Sequence, residues 1–168
     1  MHPQLEKRWK SLENRREVLV ERVSALPEVR RNHRPPDGTF SPIELIQHFA
    51  LAEAGNLEFM RKAPPKSLVG LNPKPTFFFH RTVESLRSPS KAVATLPSMK
   101  PKSPATLELA AERWAEVRVE TGEFLEQVRD PHDAMVRFNI MFGLASASDY
   151  LDLLEAHTLY HEERFPKV

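Results

Sequence analysis

The stretch Ser146-Ala147-Ser148-Asp149-Tyr150-Leu151-Asp152-Leu153-Leu154-Glu155-Ala156-His157-Thr158-Leu159-Tyr160-His161-Glu162-Glu163-Arg164-Phe165 decides how this chain is read. At about 100° per residue, Tyr150, Leu153, Leu154, His157, Thr158, His161 and Phe165 share one arc of a helix, and Asp152, Glu155, Glu162 and Glu163 fall on the other. Ser146 caps this helix, with Asp149 three residues on in a capping-box pattern. The apolar arc faces the protein, so His157 and His161 point inward one turn apart. Burying two imidazoles without partners would cost on the order of several kcal/mol. Hydrogen bonds to core neighbours would satisfy them, and so would a shared ligand. An inward i,i+4 pair aims two nitrogens at one point, as helices do when they hold a first-row transition metal.

Working outward, Leu5, Trp9, Leu12, Leu19, Val23 and Leu26 recur at three- and four-residue steps and predict an amphipathic first helix over Pro3–Leu26. Arg16 interrupts that stripe, either as a side chain that snorkels to solvent from the helix edge or as a member of a buried ion pair. Pro27 ends the helix, and Arg34-Pro35-Pro36-Asp37-Gly38 reads as a loop. Ser41-Pro42-Ile43-Glu44 opens a second helix with an N-cap serine, a proline at N1 and a glutamate at N3. Ile43, Leu45, Ile46, Phe49, Ala50, Ala52, Leu57 and Met60 form its apolar arc, with His48 at the edge and Glu53 and Asn56 inside; Pro64-Pro65 stops it.

The prolines between Lys66 and Lys102 leave room for one short helix, about Thr76–Leu86, whose Phe77, Phe78 and Phe79 would cap the core. Ser103-Pro104 then predicts the start of a third long helix, with Leu107, Ala110, Ala111, Trp114, Val117, Thr121, Phe124, Leu125 and Val128 on its stripe. His132–Met141 suits either a turn of helix or an extended segment.

Four long amphipathic helices predict an all-α fold, a four-helix bundle forming one domain over residues 1–168. Lysines and arginines number 24 against 23 acidic residues, so no global basic field favours nucleic acid. The absence of cysteine removes disulfides and thiolate ligands, leaving His and carboxylate. The first residues contain no apolar signal-like run, and no stretch of about 18 apolar residues follows, so a soluble, cytoplasmic protein is expected.

Two facing histidines need a third ligand to hold a metal with an open position. His48 lies roughly 10 Å into the second helix, whereas His157 and His161 lie about 15 to 20 Å into the last one. They meet only if those helices are antiparallel. A simple up-down-up-down bundle would make them parallel, but the long Lys66–Lys102 connection permits an up-down-down-up order, with the second and third helices parallel. A structural site would need a fourth protein ligand, for which His80 and Glu53 are the candidates. Depth along the helices also sets Arg16 level with Glu53, which predicts a buried ion pair between them.

Two segments resemble the DinB/YfiT-like metalloenzyme family. Gly38-Thr39-Phe40-Ser41-Pro42-Ile43-Glu44-Leu45-Ile46-Gln47-His48 is similar to that family's G-x-W-S-x-x-E-h-x-x-H entry into its second helix. Phe142-Gly143-Leu144-Ala145-Ser146-Ala147-Ser148-Asp149-Tyr150-Leu151 with His157-x-x-x-His161 is similar to its G-x-h-S-x-x-D-h-h and H-x-x-x-H close. Phe40 stands where the family has Trp, a position that needs only an apolar plug, and Arg164 stands where many members carry Gln.

The resemblance implies an up-down-down-up bundle and one divalent ion held by His48, His157 and His161, zinc or nickel ahead of iron or manganese. It implies transfer of a low-molecular-weight thiol to an electrophile, or metal-dependent hydrolysis by an activated water; a non-catalytic metal-binding bundle is the rival reading. Glu53, Asn56 and Tyr150, on inward arcs, are the candidates for orienting a ligand or moving a proton, with an ordinary core role as the alternative. The partners expected are a small-molecule substrate, such as a low-molecular-weight thiol, and a second copy of the chain as a homodimer, with no nucleic acid and no membrane.

Overall fold

The computed structural model describes residues 1–36, 39–62, 74–88, 95–102, 105–130, 134–137 and 144–165. It is mainly helical: α1 (Pro3–Ser24), α2 (Glu28–Asn32), α3 (Pro42–Lys62), α4 (Lys74–Leu86), α5 (Leu107–Glu126) and α6 (Ala147–Glu162), with a 3₁₀ turn at Pro97–Met99. A short antiparallel ribbon pairs β1 (Ala134–Arg137) with β2 (Leu144–Ser146). Of the His132–Met141 segment, Ala134–Arg137 is therefore extended, and the other positions lie outside the described residues. Among the described residues no helix is long and apolar enough to cross a membrane.

The helix starts follow from local chemistry. Ser41 accepts from the Glu44 amide at 3.3 Å while the Glu44 carboxylate accepts from the Ser41 amide at 2.9 Å. Ser146 and Asp149 close the same reciprocal box on α6, with the Ser146 hydroxyl donating to Asp149 as well. Such caps commonly contribute about 1 kcal/mol. The third long helix departs from expectation. Its cap is Thr106, whose hydroxyl accepts from the Leu109 amide at 3.3 Å, and burial begins at Leu107, the first core-facing position. Ser103 and Pro104 lie outside the described residues. The turn α2 was not foreseen either; from it Arg31 donates to the Leu26 and Ser24 carbonyls and so caps the end of α1.

Side-chain pairs fix how the long helices lie. Phe49 stacks on Trp114 at 4.7 Å, Glu53 meets Arg118, and Arg61 meets Glu120 at 2.7 Å, so residue numbers rise together along α3 and α5. They also rise together along α1 and α6, where Arg8 reaches Ser148 and Asp152 and Arg15 reaches Glu162. Between α1 and α5 they run oppositely, Trp9 packing beside Gly122 and Glu13 reaching Arg118 at 3.2 Å. On α4, Phe79, Val83 and Leu86 are buried, while the side chains of Phe77 and Phe78 lie outside the described residues.

Buried apolar residues form two clusters. One gathers Leu5, Leu12, Leu57, Met60, Phe124 and the inward face of α6, and the other Leu19, Val23, Ile46, Phe49, Ala110 and Trp114. Between them in chain position on α1, α3 and α5 lies a polar layer, Glu13, Glu53 and Arg118. The Arg118 guanidinium donates to Glu53 through two nitrogens, at 2.5 and 2.7 Å, and both side chains are 1% exposed. This corrects the partner predicted for Glu53. Arg16 stays at the edge of α1, 15% exposed, paired with Glu13 and Glu17 of its own helix. Equal depth along two helices did not place Arg16 and Glu53 on facing sides, whereas Arg118 enters the same layer from α5. Burial opposes the charge on Arg118, but the adjoining Glu53 carboxylate outweighs it and raises the guanidinium's pKa.

Candidate metal centre

His48 projects from the second turn of α3, and His157 and His161 project from the last two turns of α6. The three ring centroids form a nearly equilateral triangle with sides of 4.9, 4.9 and 4.8 Å. One nitrogen from each ring lies within 4.8 Å of the other two. His48 Nε2 and His157 Nε2 face one another at 3.0 Å. Two ligands bound at about 2.1 Å around a tetrahedral ion stand about 3.4 Å apart, so this pair needs only a small ring rotation to share one.

The surroundings select the ligating form. His48 Nδ1 lies 2.8 Å from the Met99 carbonyl, which can only accept, so that nitrogen carries the proton and Nε2 presents its lone pair. The His161 ring makes no hydrogen bond to a described residue. Burial lowers the pKa of all three rings: His48 falls despite the Met99 bond, His157 falls well below the ordinary range with His161 and His48 adding to the effect, and His161 is pushed down to about 3, with His48 and Arg164 contributing. All three are neutral at neutral pH, as metal ligands must be.

Aromatic rings hold this cluster. Phe40 stacks on His48 at 4.8 Å, in the position of the predicted apolar plug, and Phe49 meets His157 and His161 edge-on at 5.5 and 5.4 Å. Tyr160 packs against His161 at 5.0 Å. On one side the histidines open into a cavity of about 110 Å³, walled by Ala52 and Asn56 of α3, Thr82 and Leu86 of α4, Thr95, Leu96 and Met99 of the crossover, and Leu153 and Tyr160 of α6. A larger groove of about 420 Å³ between α3 and α5 contains none of the histidines.

The structure thus brings His48, His157 and His161 together and sets Asn56 in the adjoining wall. Glu53 and Tyr150 are elsewhere. Glu53 is engaged by Arg118, and Tyr150, fully buried, has no well-formed hydrogen bond although Thr121 is near its hydroxyl; burial, and secondarily the Glu53 charge, raise its pKa. His80, weighed as a fourth ligand, is exposed on α4 beside Phe79. Sequence reasoning missed Met99, Thr95 and Thr82, which come from a proline-rich crossover and a short helix. It also missed Tyr160, although its neighbour His161 was placed on the inward arc.

No curated protein and no solved structure matches the chain. The model of the DinB superfamily matches residues 11–163, a span holding His48, His157 and His161, the whole of α3, α5 and α6 and all but the first eight residues of α1. The chain belongs to the DinB superfamily.

Proposed function

We propose that this chain is an up-down-down-up four-helix bundle that holds one divalent transition-metal ion through His48, His157 and His161. In that role it serves as an enzyme transferring a low-molecular-weight thiol to an electrophile. The rising residue pairs of α3 with α5 and of α1 with α6, and the falling pairs of α1 with α5, support the topology. The observation that carries the functional reading is three neutral imidazoles converging beside a cavity in a chain without cysteine. An ion held there supplies a Lewis acid that lowers the pKa of a thiol or water toward neutrality.

The chain's own residues do the rest. The Met99 carbonyl holds His48 in its ligating tautomer. Phe40 lies against His48, and Phe49, itself stacked on Trp114, packs edge-on against His157 and His161, so apolar rings cover part of the histidine cluster. His80 and Glu53 stand in other places, so neither closes the coordination from the protein side. The test is a panel of thiol-plus-electrophile, ester and amide substrates on protein reconstituted with zinc, nickel, iron or manganese. Metal-dependent thiol consumption supports the reading. Ester or amide hydrolysis without thiol dependence would replace it with a hydrolase, and inactivity across the panel would favour a metal-binding bundle.

A further inference from the structure

The cavity beside the three histidines has a polar end that the metal reading does not use. His48, Ala52 and Asn56 recur every four residues along one stripe of α3. All three residues line the same cavity, with the small Ala52 side chain one turn from each of the other two. The Asn56 carboxamide makes no hydrogen bond to another described residue, and neither does the Thr95 hydroxyl in the crossover wall. A half-buried amide offers two donors and an acceptor, a pattern that suits an uncharged amide or hydroxyl. Much of the cavity wall is apolar, from Ala52, Leu86, Leu96, Met99 and Leu153. A formal charge carried past that wall would lose its hydration without a counter-ion.

We propose that Asn56 is the specificity-determining residue of this cavity, hydrogen-bonding an uncharged amide or hydroxyl group of a thiol substrate whose sulfur lies at the three histidines. The proposal rests on the metal-centre reading and adds a substrate class to it. It also sets a length. Eight residues of α3 separate His48 from Asn56 by about 12 Å along the axis. About 3.5 Å from the His48 nitrogen through the ion to the sulfur and about 3 Å of hydrogen bond at the other end leave about 5.5 Å between the sulfur and the polar group. An extended chain of about 1.5 Å bonds advances about 1.25 Å per bond, so that span corresponds to about two or three methylenes.

The test uses ω-mercapto carboxamides with one to six methylenes, together with their carboxylate-terminated and methyl-terminated counterparts. Binding to the zinc-loaded full chain is measured by titration calorimetry, after zinc binding alone has been measured. The expected result is a carboxamide optimum near two or three methylenes, with the carboxylate of that length bound at least about 10-fold more weakly. Asn56→Leu should weaken the best carboxamide about 3- to 10-fold while leaving the methyl-terminated thiols unweakened. Asn56→Ala serves as a second truncation, and Asn56→Asp should invert the preference toward an ammonium-terminated thiol. Unchanged carboxamide affinity in both truncations overturns the assignment to Asn56 while the metal centre stands. Failure of the wild-type chain to bind zinc overturns both readings.

Discussion

Replacing Arg118 by methionine removes the cation that neutralises Glu53 while keeping most of the side-chain volume. Glu53, 1% exposed, loses hydrogen bonds of 2.5 and 2.7 Å, and Glu13 loses one of 3.2 Å. Breaking a buried pair from one side commonly costs about 3–5 kcal/mol, because the orphaned carboxylate stays out of water. For a chain of this size each kcal/mol lowers Tm by about 2–4 °C, so Arg118→Met should lower it by on the order of 10 °C. Urea unfolding of Arg118→Met, Glu53→Gln and the double variant measures the coupling. The double variant should be less destabilised than the sum of the singles by about 2 kcal/mol or more. Arg16→Met, which breaks only contacts within α1 at 3.3 and 3.6 Å, should cost under about 1 kcal/mol and show no coupling to Glu53. Additivity of the Arg118 and Glu53 substitutions within about 0.5 kcal/mol would refute the view that these two charges pin α3 against α5.

The metal-free protein should lose stability in acid from an unusually high starting point. The histidine pKa values are lower in the fold than in the unfolded chain, so the unfolded chain takes up protons first once the pH drops below about 6.5. Stability is therefore fully present above that pH and declines toward about 3, where His161 titrates in the fold. Each ring contributes a slope of up to about 1.4 kcal/mol per pH unit. Urea midpoints from pH 7.5 to 5 should fall for the wild type and stay much flatter when all three histidines are replaced; equal slopes would contradict the neutral-ring picture. Separately, Gly55 lies inside α3 with nothing within 4 Å of where a Cβ would stand. Gly55→Ala should stabilise the chain by about 0.5–1 kcal/mol in the same assay, and a loss would show that the backbone there is not ordinary helix.

What could be read from the sequence was whatever periodicity and capping chemistry encode. The α6 stripe turned His157 and His161 inward, and the Ser41–Glu44 and Ser146–Asp149 boxes marked two helix starts that the hydrogen bonds reproduce. The reach of His48 to the pair followed from depth along two helices. Depth misled for Arg16, because it says nothing about which face of a helix meets which neighbour. Arg118 interrupts the stripe of α5 as Arg16 does that of α1, so the sequence carries the signal of a charge facing the core, but only the three-dimensional packing shows that its partner is Glu53. The Met99 carbonyl was unreadable for another reason: a backbone acceptor in a proline-rich crossover has no residue type to betray it. Thr106 took the cap from Ser103 because the core stripe of α5 begins at Leu107, and a cap sits beside the first turn that packs.

The most direct measurement is the metal content of the purified chain after reconstitution and desalting, by mass spectrometry, for the wild type and for the variant carrying His48→Ala, His157→Ala and His161→Ala, with circular dichroism confirming that both remain helical. The account predicts close to one divalent ion per wild-type chain and almost none in the variant. A folded variant that keeps a stoichiometric ion, or a folded wild type that takes up none from zinc, nickel, iron or manganese, would contradict it.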